Sequence, residues 1–194
     1  ARKVAQDRMV EKVEYASAPR LPGMILAGGL SRRMGGGDKC LVPLAGRPIL
    51  AHVIARVAPQ VARLALNANG DPQRFAAFGL EIVSDSVPGF AGPLAGILAG
   101  LDWAARAAPE ATHLLTAPAD TPFLPTDLVA HLRTAIRGAA ESAVAESAGR
   151  RHPVVGLWSL THRESLRRAV QDDGMRKVED WLARIGARSV SAGP

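Results

Sequence analysis

Between Leu26 and Lys39 the chain reads LAGGLSRRMGGGDK, with glycine at 28, 29, 35, 36 and 37. Glycines let a backbone reach positive φ and bring its amide N–H groups close to an anion. Arg32, Arg33 and Lys39 add positive charge to the same run. A triphosphate needs both features, because its charge must be neutralised while its oxygens receive hydrogen bonds. Glycines alone would describe an ordinary surface loop. The basic residues and the apolar run before them favour a phosphate loop instead. The Gly-x-x-x-x-Gly-Lys-Ser/Thr of a P-loop is missing, and so is the Gly-x-Gly-x-x-Gly of a dinucleotide fingerprint.

Asp120 follows the apolar run HLLTAPA and precedes Thr-Pro-Phe-Leu-Pro, which puts it at the carboxyl end of a strand. A carboxylate there can hold Mg²⁺, which binds oxygen and reaches proteins through one or two carboxylates plus phosphates. A capping role for the helix expected near Pro125 fits worse, since Thr126 and Asp127 stand closer. Asn67 and Asp85 each end an apolar run, so both should open into one crevice. An amide and a carboxylate can read a purine edge or grip ribose hydroxyls. Asn and Asp also favour turns after strands, and the residue types alone leave that choice open. His152 follows the basic turn Gly149-Arg150-Arg151, with nothing nearby to complete a nucleophile–base pair. Cys40 reads as a packing residue, and Trp103, Trp158 and Trp181 as core or helix-face residues.

These residues need a scaffold that brings distant strand ends together. The pattern predicts strands over Gly23–Ala27, Val61–Asn67, Leu80–Asp85, His113–Ala117, Ser142–Glu146, Val154–Ser159 and near Arg188–Val190. Helices are expected over Ile49–Val57, Pro72–Phe78, Pro93 to about Ala107, Pro125–Arg137, Thr161–Gln171 and Met175–Ile185. Pro48 and Pro93 stand where helix starts favour proline. This βαβα order predicts an α/β fold, a three-layer Rossmann-like, mostly parallel sheet with helices on both faces. Ligands in such sheets bind outside the carboxyl ends of the strands. Residues 1–20 read as an N-terminal arm, and 21–194 as one domain.

Composition narrows the partners. With 47% hydrophobic and 22% charged residues, the chain reads as an ordinary globular protein, without an apolar run long enough to cross a bilayer. The polar N-terminal stretch lacks the apolar centre of a signal peptide, so a cytoplasmic location is expected. One cysteine excludes an internal disulfide. The net charge of +6 suits anionic ligands. Basic residues are scattered and aromatics make up only 4%, which favours small phosphorylated molecules over nucleic acid.

LAGGxSRRMGxxDK resembles the signature loop of the molybdenum cofactor guanylyltransferases, and the wider group of nucleotide-sugar pyrophosphorylase-type transferases has a similar loop. Further matches occur in order at Asn67-Ala68-Asn69, Val83-Ser84-Asp85, Gly92-Pro93-Leu94-Ala95-Gly96, Asp120–Pro125 and His152-Pro153-Val154. The resemblance spans about Pro22 to Arg188. It implies a nucleotide-diphospho-sugar transferase type of fold and a Mg²⁺-dependent nucleotidyltransferase. GMP would pass from GTP to the terminal phosphate of molybdopterin, with release of pyrophosphate. It implies nucleotide contacts at Leu26, Ala27, Gly28, Gly29, Lys39, Asn67, Asp85 and Asp120. Lys39, Arg33 and Asp120 would act in catalysis, with the metal on Asp120. Arg33, Gly36, Arg151 and His152 would lie on the acceptor side. The protein is expected to work as a monomer, with molybdoenzymes or cofactor-insertion proteins as further partners and neither nucleic acid nor membrane.

Two other readings share these residues. A cytidylyl- or sugar-nucleotidyltransferase would use the same fold, but related cytidylyl enzymes typically show Leu-Ala-Ala-Gly and Asn-Lys where this chain has Leu26-Ala27-Gly28-Gly29 and Asp38-Lys39. A non-catalytic nucleotide- or cofactor-binding adaptor would have no need to keep both Lys39 and Asp120. The family usually carries Asn-x-Asn-Thr-Pro after its last strand, and Arg188–Pro194 does not contain it. Acceptor binding therefore rests on fewer matched residues than nucleotide binding does.

Overall fold

A computed structural model describes residues 21–28, 38–89, 92–138 and 141–192. The expected arm, 1–20, lies outside them. Seven strands form the main sheet: β1 (Pro22–Leu26), β4 (Arg63–Asn67), β5 (Glu81–Val83), β6 (His113–Pro118), β7 (Ala143–Ser147), β8 (Arg150–Ser159) and β9 (Arg188–Ser191). Their order is β5-β4-β1-β6-β8-β7-β9, and β2 (Pro43–Leu44) pairs with β3 (Arg47–Pro48) in a separate hairpin. In the main sheet only β8 runs against its neighbours.

The central strands are apolar on both faces because both faces are covered. Ile25, Leu66, Leu115 and Leu157 share one core with Leu50, Val53 and Val57 of α1 (Ile49–Val57) and with Leu128 and Leu132 of α3 (Leu128–Thr134). Met24, Ala65, Leu114 and Trp158 belong to the opposite core. There they meet α2 (Pro93–Ala107), α4 (Arg163–Gln171) and α5 (Val178–Ile185). Adjacent strand residues thus serve opposite layers, as the two-residue period requires. The three-layer α/β arrangement is the expected one, and all three tryptophans are buried in the second core.

Helix α2 is buried along most of its length and packs hard on the sheet. A Cβ on Gly100 would stand 2.7 Å from Leu114 Cδ2, so glycine is needed for this approach. Some boundaries differ from expectation. The helix expected from Pro125 starts only at Leu128, where Asp127 takes the N-cap position and its carboxylate meets His131 instead. The last helix starts at Val178, not Met175, because the Met175 amide is bonded back to Ala169 O at the end of α4. Pro72–Phe78 is 3-10 helix. Strand β8 begins at Arg150, four residues early, and its register against β7 breaks between Val144 and Ala145. Val144 faces Gly156 and Ala145 faces His152, so Pro153–Val155 bulge out of the ladder. Among the described residues, no helix is long and apolar enough to cross a membrane.

Candidate active site

The chain runs outward through β1, β4 and β5, then returns to place β6 on the other side of β1. Strand order reverses there, and a crevice must open outside the carboxyl ends of β1 and β6. A cleft of about 260 Å³ occupies that place. Leu26–Gly28 and Pro118–Asp120 line it from the two strand ends, with Asp38–Cys40 from the segment after the glycine-rich run. Asn67, Gly92, Pro93 and Val154 complete it.

The ladder continues one residue past the strands, with Ala27 N donating to Asn67 O at 2.8 Å and Ala119 N to Leu26 O at 3.0 Å. The Ala27 amide is therefore taken and is not free for the nucleotide contact expected at Ala27. Gly29, Arg32, Arg33 and Gly36 lie outside the described residues. Lys39 is exposed on the cleft in a short 3-10 turn, Lys39–Leu41. Cys40 is buried, and its thiol is pushed up to about 11 by burial, with the negative charges of Asp38 and Asp120 adding to the effect. It stays protonated near neutral pH and offers no nucleophile.

Asn67 is 1% exposed, and both of its amide protons are used inside the protein. Its Nδ2 donates to Val83 O at 3.0 Å and to Asp85 Oδ1 at 2.9 Å. Asn69 Nδ2 donates to the other oxygen, Asp85 Oδ2, at 2.7 Å, and Asp85 N donates back to Asn69 Oδ1 at 2.9 Å. Only Asn67 lines the cleft; Asp85 stands behind it, with both carboxylate oxygens held by amides. The crevice expected for both residues thus receives one of them directly and the other through a hydrogen bond.

Asp120 is exposed on the cleft, two residues beyond the end of β6. Among the described residues no cluster of three or more His, Cys, Asp or Glu could hold a metal. A lone carboxylate fits a magnesium ion that takes its other oxygens from phosphate and water. The cleft's second carboxylate, Asp38, is paired with Arg74 at 3.2 Å.

A second cavity, about 480 Å³, adjoins the first and shares Pro118 and Val154 with it. Phe123, Leu124, Leu128, Ala145 and Val155 make it largely apolar, and Thr121, Ser147 and His152 are its polar residues. Ser147 Oγ and His152 Nε2 are 2.6 Å apart. The bulge that forms the shared side is pinned from beneath, where Thr116 Oγ1 donates to Val154 O at 2.6 Å and accepts from Trp158 Nε1 at 2.7 Å. Arg151 does not reach this cavity. Strand alternation sends it to the opposite face from His152, where it donates to Glu179 of α5 at 2.9 Å.

The sequence reading missed Asp38, Cys40, Gly92, Pro93, Pro118, Ala119 and Val154 as lining residues, and Asn69 as a holder of Asp85. Asn69 carried a visible signal, since it lies two residues beyond Asn67 and on the same side of an extended chain. A family model described as MobA-like NTP transferase domain matches residues 23–185. The chain belongs to the molybdenum cofactor guanylyltransferase family. A relative with that name from Bradyrhizobium sp. (strain ORS 278) is 56% identical over 172 residues, covering 88% of this chain and 81% of the relative. Another from Rhodopseudomonas palustris (strain BisB5) is 57% identical over 170 residues, covering 87% and 81%. Among solved structures, molybdopterin-guanine dinucleotide biosynthesis protein A from Archaeoglobus fulgidus gives a TM-score of 0.65 at 21% identity, covering 88% of this chain and 83% of that one. At that identity the likeness is one of fold.

Proposed function

We propose that the chain transfers GMP from GTP to the terminal phosphate of molybdopterin, releasing pyrophosphate and leaving the guanine dinucleotide form of the cofactor. The observation that carries this reading is Lys39 and Asp120 on one cleft at the reversal of strand order. An acceptor phosphate oxygen bonds to the α-phosphorus of GTP as the bond from that phosphorus to the α–β bridging oxygen breaks. The electron pair leaves with pyrophosphate. A phosphate monoester loses its second proton near pH ~6, so no side chain must take a proton from the acceptor. Positioning and charge then carry the rate.

Lys39 offsets charge on the triphosphate, and Arg33 steadies the pyrophosphate or the incoming phosphate. Mg²⁺ held by Asp120 would supply Lewis-acid neutralisation of phosphate charge. Asn67 offers its Oδ1 to a donor on the base or ribose, while Asp85 fixes the orientation of its amide. The second cavity receives the acceptor's ring system, with Thr121, His152 and Ser147 as its polar contacts. Its boundary at Pro118 and Val154 brings the two substrates together.

Thermal-shift titration tests the nucleotide assignment, because a ligand that binds the native state raises its apparent stability. With Mg²⁺ present, GTP should raise the unfolding midpoint more than CTP or ATP. Equal shifts would remove the guanine assignment, and a larger CTP shift would favour a cytidylyltransferase. Pyrophosphate release with a molybdopterin acceptor, abolished by a chelator, tests the transfer and its metal.

A further inference from the structure

Arg74 lies on the 3-10 segment Pro72–Phe78, away from the cleft lining, yet it is held at three points. Its Nε is 3.2 Å from Asp38 Oδ2. Its Nη2 donates to Asn69 O at 2.6 Å. Its guanidinium carbon stands 4.8 Å over the ring of Phe75, which is completely buried.

Its two polar partners, Asp38 and Asn69, belong to different halves of the nucleotide cleft. Asp38 directly precedes Lys39 and lines the cleft with it. A carboxylate in that position would repel a triphosphate, and left alone it would compete for the Lys39 ammonium. Arg74 offsets that charge. Asn69 belongs to the other half, where its side chain holds Asp85, which in turn accepts from Asn67. We propose that Arg74 is a positioning residue for the nucleotide. It masks Asp38 from the phosphates and fixes the phosphate-side turn against the Asn67–Asn69–Asp85 cluster. A planar fork can serve a carboxylate and a carbonyl together, whereas a lysine ammonium would reach them as a point charge.

The inference rests on the reading of this cleft as a triphosphate site. Its test therefore begins with GTP affinity of the native protein, measured by calorimetry in the presence of Mg²⁺. Arg74→Met keeps an apolar stem over Phe75 while removing the charge, and should weaken GTP binding about tenfold, the effect of one unmasked carboxylate on the cleft. Arg74→Lys should keep affinity within about threefold of native, because the charge against Asp38 remains. Asp38→Asn introduced into the Arg74→Met background should restore most of the lost affinity, since the unmasked carboxylate is then gone. A purely structural Arg74 would not be rescued this way, because removing Asp38 does not rebuild the contacts to Asn69 or Phe75. Native-like affinity in R74M, or no recovery in the R74M/D38N double variant, would overturn the proposal and leave the nucleotide reading intact. Failure of the native protein to bind GTP would overturn both.

Discussion

A Cβ on Gly96 would stand 2.6 Å from Asn67 Oδ1, closer than side-chain carbons come to such an atom. Asn67 cannot turn aside, because its Nδ2 is bound to Val83 O and Asp85 Oδ1. Gly96→Ala should therefore push α2 or the amide out of place, at a stability cost of about 1–3 kcal/mol for overpacking. GTP affinity should fall with it. Denaturant unfolding and calorimetry check both effects, and a variant as stable as native would show that α2 yields without disturbing Asn67.

Lys39 faces the cleft with a full charge that backbone amides cannot replace. Lys39→Ala should bind GTP more weakly and also lose turnover at saturating GTP by roughly a hundredfold or more, as removal of such a donor typically does. Arginine should rescue only in part, because its fork directs its donors differently. Steady-state kinetics with a molybdopterin acceptor give the answer. An unchanged maximal rate would make Lys39 a surface residue.

Removing the Asp120 carboxylate should separate chemistry from binding. Asp120→Ala is expected to lose metal-dependent turnover by orders of magnitude while metal-free GTP binding changes far less, since a metal ligand acts mainly on charge developing in the transition state. Near-normal turnover would remove the magnesium role from Asp120.

His113 gives the fold a pH dependence whose sign is fixed by its surroundings. Burial lowers its pKa from the ordinary 6.5, although the hydrogen bond to Glu141 O opposes the shift. Well above pH 6.5 the ring is neutral in both folded and unfolded chains, and its contribution is fully present. As pH falls below that value the unfolded chain takes up a proton that folded His113 resists, so stability is lost. The margin of the native protein over His113→Gln in unfolding midpoint should shrink from pH 7.5 towards pH 5, on the order of the unshifted imidazole range. A margin that widens on acidification would contradict the assignment.

The elements that could be read from sequence were those with strong local signals. β1 shows as an apolar run ending in glycines, and α2 as a long apolar stretch opened by Gly92-Pro93. β8 was only half visible, because Arg150-Arg151-His152-Pro153 carries no strand preference and pairs only through a hairpin with β7. That hairpin turns on Ala148 and Gly149, both at positive φ, a two-residue connection one position earlier than the expected turn. Asp120 was legible because it follows a strand whose end fixes its place, and Lys39 because it closes a glycine-rich run with a positive charge. The internal use of both Asn67 amide protons was not, since it depends on β5 lying alongside β4. The opposed directions of Arg151 and His152 likewise depend on where the strand begins.

Pro118 of β6 and Val154 of β8 line both chambers and form their shared boundary. A substitution at either position is felt on both sides at once, whereas one at Phe123 or His152 alters a single chamber. The second chamber can thus change through its own residues while the first keeps its lining. The bulge that places Val154 at this boundary hangs from Thr116 and Trp158, which are buried in the sheet and line neither chamber. Exchange of specificity and preservation of the shared boundary are therefore entrusted to different parts of the chain.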